Sequence, residues 1–253
     1  MSEQHISDAD VTPAAAPSPK PAGLWEDFID IFYAPSEVFA RRINSGFFVP
    51  LVVVTVLVGL IFMATANAMQ PLMDAEFMRG IAAAQKGNPN MTEAQIQTAR
   101  SIGATFAKIG AWFIMPITIF FSALFIWVVG KFFGAKQTFG AAMMVASYAG
   151  ITKVVGAIAG AIQLLLLDTS GMNGVLRLSL GVGRFFDPDT ASPALIALVG
   201  RLDVFTIWMT ILLGIGLAVT GKIPRTQAMI AAAIVWIIGA MPALLGALRQ
   251  SGA

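Results

Sequence analysis

Three ionisable residues within or beside long apolar runs could do chemistry inside a membrane. Lys153 lies about 18 Å from the start of one run at the helical rise per residue, and Arg201 and Asp203 lie at the edge of the next. A contact between Lys153 and Asp203 would neutralise both charges, and Gln163 and Asn67 could extend it into a polar seam. Such a seam predicts the passage of a polar substrate.

A structural interpretation of the same residues is the alternative. Asp203 would cap the N-terminus of the following helix, where free backbone N–H groups and the helix dipole favour a carboxylate. Lys153 would then bond to backbone carbonyls inside the bundle. Because a transport pathway usually gathers more polar groups than these, the pattern favours the structural interpretation.

The side chains needed for most catalytic and metal sites are missing. The only histidine, His5, lies near the start of the chain, and there is no cysteine. This excludes a Ser-His dyad, a thiolate nucleophile and imidazole or thiolate ligation of a metal within the apolar part. A net charge of only +2, with no basic stripe, argues against nucleic-acid binding. We therefore expect a non-enzymatic protein with no catalytic residue, metal or cofactor.

Five apolar runs must position these residues. Each has about the length that a helix needs to cross roughly 30 Å of hydrocarbon. The composition, 57% hydrophobic and 12% charged, leaves too little polar surface for a water-soluble globule of 253 residues. The runs are Phe47 to Met69, Ile109 to Gly130, Gly140 to Leu167, Val204 to Thr220 and Thr226 to Leu248. The predicted fold is an all-α bundle of five transmembrane helices, the fourth extended upstream by Leu195 to Gly200 if its edge tolerates Arg201 and Asp203.

The connections between the runs predict an orientation. Short basic connections tend to stay in the cytoplasm, and three of them fall on one side of the bundle. Their basic residues are Arg41, Arg42, Lys131, Lys136, Lys222 and Arg225. The opposite side has long connections, Gln70 to Lys108 and Asp168 to about Arg201. The first is expected to hold a short helix, Phe77 to Lys86, and then a capping box, Thr92 to Gln95, that opens a helix running into the second span. The N-terminus should therefore be cytoplasmic and the C-terminus outside.

Three parts follow one another along the chain. Residues 1–23 are rich in Ala, Pro and Ser without apolar periodicity, which predicts a disordered tail. Residues 24–45 carry apolar side chains at helical spacing, opposite acidic and basic ones and on both sides of Pro35. The apolar positions are Trp25, Phe28, Ile31, Phe32, Val38 and Phe39, and the opposing acids include Asp27 and Asp30. This pattern predicts a kinked amphipathic helix in the membrane interface, or one packed on the ends of the spans. Residues 46–253 form the membrane domain.

Small residues follow one face of the third run. Ala146 and Gly150 are followed by Gly156 and Gly160 in a GxxxG spacing. Because small faces let helix backbones approach closely, we expect this span at the centre of the bundle. A seam between two copies of the chain is the alternative use of the face.

Four short motifs resemble the Yip family, whose eukaryotic members are named for interacting with Ypt and Rab GTPases. The motifs are Ala34-Pro35-Ser36-Glu37-Val38-Phe39, Phe132-Phe133-Gly134-Ala135-Lys136-Gln137-Thr138-Phe139, Tyr148-Ala149 and Leu202-Asp203-Val204-Phe205-Thr206-Ile207-Trp208. The chain lacks the aspartate-aromatic-glycine-proline motif of eukaryotic members, and Ile151-Thr152 stands where the family often has a proline. The match is therefore closer to the prokaryotic branch, which implies a location in the bacterial inner membrane.

Two functions from different classes remain open. The resemblance implies a membrane scaffold whose amphipathic segment recruits another membrane or cytoplasmic protein or shapes the lipid bilayer. The second is a small permease, channel or lipid-moving protein that uses the polar seam around Lys153 and Asp203.

Overall fold

The computed structural model describes residues 23–169 and 171–251. Over this part of the chain the fold is helical and forms no strand. The helices are α1 (Leu24–Asp30), α2 (Pro35–Arg42), α3 (Phe48–Gly87), α4 (Glu93–Phe132), α5 (Phe139–Ala149), α6 (Ile151–Leu166), α7 (Pro193–Val199), α8 (Val204–Gly221), α9 (Arg225–Ile238) and α10 (Met241–Ser251). The predicted disordered tail lies outside the described residues except for Gly23, which precedes α1.

Five helical stretches are long and apolar enough to cross a membrane, which confirms the predicted bundle. They are α3, α4, the pair α5 and α6, α8, and α9 with most of α10. The third stretch is interrupted at Gly150. The fifth is interrupted after Ile238, shortly before Pro242, which lacks an N–H group and clashes with the preceding turn of a helix.

The centre of the bundle is α5, the first half of the third span, whereas α6, the second half, is buried mainly at its start, so the predicted central position holds only for the first half. Every side chain from Ala141 to Ala149 is buried. Close approach makes this possible: Gly216 of α8 lies directly against Val145, so no side chain would fit at that glycine. Small residues on both helices thus bring the backbones of α5 and α8 together.

The fourth span begins later than its longest predicted form. Leu195 to Gly200 do not extend α8, because α7 is a separate helix that ends at Val199. The Asp203 side chain accepts hydrogen bonds from the N–H groups of Phe205 and Thr206, at 3.0 and 3.3 Å. A capped N-terminus at Asp203 separates the two helices and confirms the capping interpretation of this residue.

The largest correction concerns the connection from Gln70 to Lys108. The helix predicted to open at the Thr92 capping box and run into the second span is confirmed, but the first half of the connection is not a loop with a short helix, because α3 continues unbroken to Gly87. The helices α3 and α4 are each 40 residues long in all, about 60 Å. We call residues 70–108 the arm. Helix-favouring Ala, Met, Glu and Gln fill it, and the break comes only at Asn88 to Thr92, where Thr92 and Gln95 form a capping box.

The two ends of the bundle differ. At one end, which we call the basic end, the loops after α4 and α8 meet, and the Lys136 N–H donates to the Gly221 carbonyl at 2.9 Å. At the opposite end, the loop around residues 171–192 packs on the arm, where Arg79 binds the Asn173 carbonyl and the Asp189 carboxylate at 2.6 and 2.8 Å. The basic loops therefore share one end, while the orientation of that end relative to a membrane stays a prediction.

Candidate functional site

The amphipathic segment folds into a helical hairpin, residues 24–42, which we call the N-terminal hairpin. Its first helix begins at Leu24 and is capped by Gly23, whose N–H donates to the Glu26 carboxylate at 2.7 Å. The second helix begins with Pro35 in the first position, where a missing N–H costs nothing. Each backbone N–H from Ile31 to Ala34 donates to a carbonyl of the hairpin. The N–H groups of the turn therefore need no water.

The apolar side of the N-terminal hairpin packs on the bundle. The rings of Phe28 and Tyr148 lie 5.3 Å apart, and those of Phe32 and Trp208 lie 4.9 Å apart. The fully buried members of this side are Ile31, Val38 and Phe39. These contacts decide between the two predicted arrangements: this face is covered by helices of the same chain.

Two of these contacts give the depth of the hairpin along the bundle. Tyr148 lies nine residues after the start of α5 and Trp208 13 residues before the end of α8. At 1.5 Å per residue these positions are roughly 13 and 20 Å from the basic end. The hairpin thus extends along the side of the bundle rather than lying flat across its end.

An ionic cluster holds the two helices of the hairpin together. The side chain of Asp27 is fully buried and binds the guanidinium groups of both Arg41 and Arg42, with 2.6 Å from Arg41 Nε to Asp27 Oδ1. Asp30 also binds Arg41, and the Tyr148 hydroxyl donates to Asp27 at 3.3 Å. Two carboxylates balance two guanidinium groups, so the cluster is neutral. Although burial opposes the charge, the hydrogen bonds to Asp30 and Asp27 raise the pKa of Arg41.

Sequence reasoning misplaced part of this cluster. Asp27 was interpreted as part of a polar face, and the two arginines only as topology signals. Its burial follows from its neighbour Phe28, which carries Asp27 towards Tyr148 when it packs on the bundle. The available signal was a carboxylate among apolar positions, followed 14 and 15 residues later by two arginines.

The other side of the hairpin is exposed. Trp25, Ile29 and Tyr33 follow one another at four-residue spacing and are 70%, 61% and 85% exposed. Trp25 still touches the bundle side, since its ring lies 6.1 Å from that of Phe28. Of the residues predicted for contact with a partner or the interface, only Trp25 is free on this face. Ile29 and Tyr33 were not predicted.

The predicted polar seam is divided among separate partners. Lys153 Nζ donates to the Thr206 hydroxyl at 2.8 Å and makes no ion pair with Asp203. The Asp203 carboxylate accepts hydrogen bonds from the Phe205 N–H of its own helix and from the Ser179 hydroxyl, both at 3.0 Å. The Lys153–Asp203 ion pair of the first interpretation is therefore not made, as the favoured structural interpretation expects, although Lys153 bonds to a hydroxyl and not to the backbone carbonyls of that interpretation.

Gln163 and Arg201 tie loops to spans. Gln163 Nε2 donates to the Leu178 carbonyl at 2.9 Å, and Arg201 Nη2 donates to the Trp236 carbonyl at 3.1 Å. The Arg201 guanidinium also lies over the Trp236 ring, 5.8 Å from its centre. Each group thus serves the packing of one connection at the end of the bundle opposite the basic end.

The predicted small-residue face serves packing within the chain over most of its length. Ala146 is fully buried, Gly150 lies against Ile119 and Val54, and Gly156 lies against the Phe205 ring. Only Gly160 has open space beside it, in a groove of about 310 Å³ between α6 and α3. A seam between two copies stays a prediction.

All four short motifs contribute to one apolar cluster. Its members include Phe39 of the first motif, Ala135 of the second, Tyr148 of the third and, packed against it, Trp208 of the fourth. The second motif forms the basic end, where Gln137 Nε2 donates to the Thr220 hydroxyl at 2.6 Å. The motifs therefore mark how the hairpin and its support fit together.

Comparison with known proteins identifies the family of the chain. A model of the Yip1 domain family matches residues 29–246, which include α2 and almost all of the five spans. Neither a curated protein nor a solved structure matches the chain. The resemblance of the short motifs is confirmed by this match over most of the sequence, and the chain belongs to the Yip1 domain family of membrane proteins.

Proposed function

We propose that this protein is a non-enzymatic membrane organiser that acts through its N-terminal hairpin. The observation that carries the proposal is the position of the hairpin beside α5 and α8, between the basic end and the level of Trp208. There it adds the width of two helices to one half of the bundle. A protein that is broader in one leaflet than in the other favours a curved bilayer.

The hairpin has the properties that contact with lipid requires. The backbone N–H groups of its turn are satisfied internally, as any backbone without water must be. Its ionic cluster is neutral, and the Asp27 side chain at its centre is fully buried against Tyr148, while the side chains of Asp30 and Arg41 stay 40% and 29% exposed. The exposed positions carry Trp25, Ile29 and Tyr33, and Trp and Tyr are the side chains enriched at the membrane interface. Lipid is therefore the occupant that fits this face.

The permease alternative has less support. The polar groups that would form its path each bind a different local partner, such as Thr206 for Lys153. Transport stays a prediction, tested by flux in proteoliposomes with the native chain and Lys153→Met. The organiser proposal expects Lys153→Met to leave vesicle shape unchanged.

The experiment compares vesicle shape with and without the exposed face. The native chain is inserted in one orientation into phosphatidylethanolamine and phosphatidylglycerol vesicles of uniform diameter, which are imaged by electron cryo-microscopy. We expect narrower or tubular vesicles with the native chain and a return to the protein-free diameter with Trp25→Ser, Ile29→Ser and Tyr33→Ser together. Substituting Phe28 and Phe32 would be a poor test, because both pack on the bundle.

A matched control uses exposed apolar residues elsewhere. Leu165, Leu166 and Phe185 are 82%, 78% and 80% exposed, so their replacement by Ser changes a similar apolar surface away from the hairpin. This control should still remodel vesicles. A photoreactive residue at position 29 should label lipid. Capture of a discrete protein instead, or equal vesicle shapes for all variants, would contradict the proposal.

A further inference from the structure

The arm contains a cleft that the proposed function does not use. Between α3 and α4 the described residues enclose a cavity of about 770 Å³, within the range of roughly 300–1,000 Å³ typical of ligand sites. One end is closed by Gly59 and Trp112, since a Cβ at Gly59 would lie 2.7 Å from the indole ring. Towards the other end the side chains of Arg100 and Asp74 pair at 2.7 Å, and the lining of the cleft continues past them to Phe77 and Gln97.

The side chains that line the cleft are small enough for α3 and α4 to pack closely, yet the two helices stay apart. The residues facing each other include Ala66, Gly103, Ala104 and Ala107. Small side chains let membrane helices pack closely, but Gly103 has no atom within 4 Å of where a Cβ would lie. The arm therefore keeps a space that a molecule of its surroundings can fill.

The cleft lies where the second span meets the arm. Lys108, which lines it, directly precedes the apolar run that starts at Ile109. Side chains next to it on α4 are apolar and exposed: Ile102, Phe106 and Ile109 are 51%, 70% and 51% exposed. Lipid phosphates lie at this boundary between hydrocarbon and water.

The charges in the cleft point to the chemistry of the ligand. Asp74 pairs with Arg100, and Glu76 pairs with Arg79 at 2.9 Å. Lys108 also lines the cleft and makes no ion pair or hydrogen bond to another side chain or carbonyl in the described part of the chain. Because Arg79 also binds Asp189, these charged groups sum to zero, but the Lys108 ammonium group is the one among them that no carboxylate pairs, which leaves it available to an anion. Asn67, Gln70 and Ser101 supply further polar groups nearby.

We propose that the cleft binds the headgroup of a phospholipid from the leaflet at this end of the bundle, with its phosphate at Lys108. The acyl chains would continue from Phe62 along the lipid-facing surface of α3 and α4. The recognised chemistry is a phosphate, which a lipid or free phosphate could supply. Because the cleft opens beside exposed apolar residues, the lipid is the source that we infer.

The test uses a phosphatidylglycerol that carries a photoreactive diazirine near the glycerol, in vesicles of phosphatidylethanolamine. We expect labelled peptides from 62–77 and 97–108, and about a tenfold lower yield with Lys108→Glu, equivalent to loss of one charged contact. Lys86→Glu is the matched control, since Lys86 is exposed on the same arm outside the cleft. It should label like the native chain.

Further measurements separate the effect of the space in the cleft from that of the charge, and a lipid phosphate from free phosphate. Ala104→Trp fills the cleft without changing the charge and should also reduce labelling. A photoreactive diacylglycerol, which has no phosphate, should label these peptides weakly, and inorganic phosphate should not compete. Equal labelling of Lys108→Glu and Lys86→Glu, equal labelling by diacylglycerol, or full competition by inorganic phosphate would overturn the proposal. Each variant is first shown to retain the thermal unfolding midpoint of the native chain.

Discussion

The N-terminal hairpin and the arm are both pairs of antiparallel helices, but they are held in opposite ways. The hairpin buries Asp27 between two arginines and packs Ile31 and Phe39 out of contact with solvent. The arm is joined by Asp74 and Arg100, which are 43% and 47% exposed, around an open cleft. Similar residue types thus make a fixed element at one end and an adaptable one at the other. The reason is that burial decides how much each ion pair contributes to stability.

The largest difference in unfolding free energy should come from neutralising one aspartate in the N-terminal hairpin and one in the arm. Asp27→Asn leaves two partly buried guanidinium groups short of a partner, so its cost should approach the roughly 3–5 kcal/mol of a broken buried ion pair, lessened by the partial exposure of the arginines. The matched change, Asp74→Asn, should cost less than about 1 kcal/mol. Reversible unfolding in mixed micelles measures both. Equal costs would show that the two pairs are equally buried in the membrane.

A position change should accompany the loss of Asp27. Spin labels at the exposed residues Tyr33 and Ile211 report how closely the hairpin lies to α8. We expect a broader and longer distance distribution with Asp27→Asn and an unchanged one with Asp74→Asn. An unchanged distribution with Asp27→Asn would mean that apolar packing alone holds the hairpin in place.

Replacing a phenylalanine by alanine in each element compares how tightly their apolar side chains are packed. Phe39→Ala removes a fully buried ring and should cost about 3–5 kcal/mol of unfolding free energy. Phe77→Ala on the arm removes a half-buried ring beside the cleft, over which Arg100 lies at 5.7 Å. Its cost should be clearly smaller. The same unfolding assay checks both, and a larger cost for Phe77→Ala would contradict a loosely packed arm.

Charge reversal tests whether the exposed pair sets the spacing of the arm. Arg100→Asp places two carboxylates together and should widen the arm while lowering stability by roughly 0.2–1 kcal/mol. Combining it with Asp74→Arg should restore the spacing. Spin labels at Met78 and Gln97 measure it. Failure of the double variant to restore the native distance would mean that the pair does not hold the arm.

The smallest effect concerns pH at the loop that packs on the arm. Hydrogen bonds from Arg79 and Asn173 lower the pKa of Asp189 below its ordinary value of 3.8. A lowered pKa means that the contribution of Asp189 is present above the ordinary pKa and lost as pH falls through the lowered one. A spin label at Thr190 should become more mobile below pH 3.8. Asp189→Asn should be mobile at every pH, and a pH response retained by this variant would assign the effect to another group.

The features of this fold that follow from the sequence are those that patterns local in the chain determine. Five spans, the basic end and the cap at Asp203 follow from run length, loop charge and helix-end chemistry. The buried state of Asp27 could not follow, because it depends on Tyr148, 121 residues away. The helix that opens at Thr92 follows from its capping box. The unbroken continuation of α3 beyond Gln70 does not follow from hydropathy, because this stretch is less apolar than a span, although its residues favour a helix up to Gly87. The contact of Lys153 with Thr206 required knowing which helices are neighbours.

The contact between Phe32 and Trp208 also determines when, during synthesis of the chain, the N-terminal hairpin can dock. Trp208 follows Phe32 by about 175 residues, so the ribosome needs roughly 10–35 s to supply it at 5–20 residues per second. During this interval the hairpin exists without its main support, and its apolar side is open to chaperones, lipids or other chains. Docking of the N-terminus therefore becomes a late event that reports the completed insertion of the fourth span.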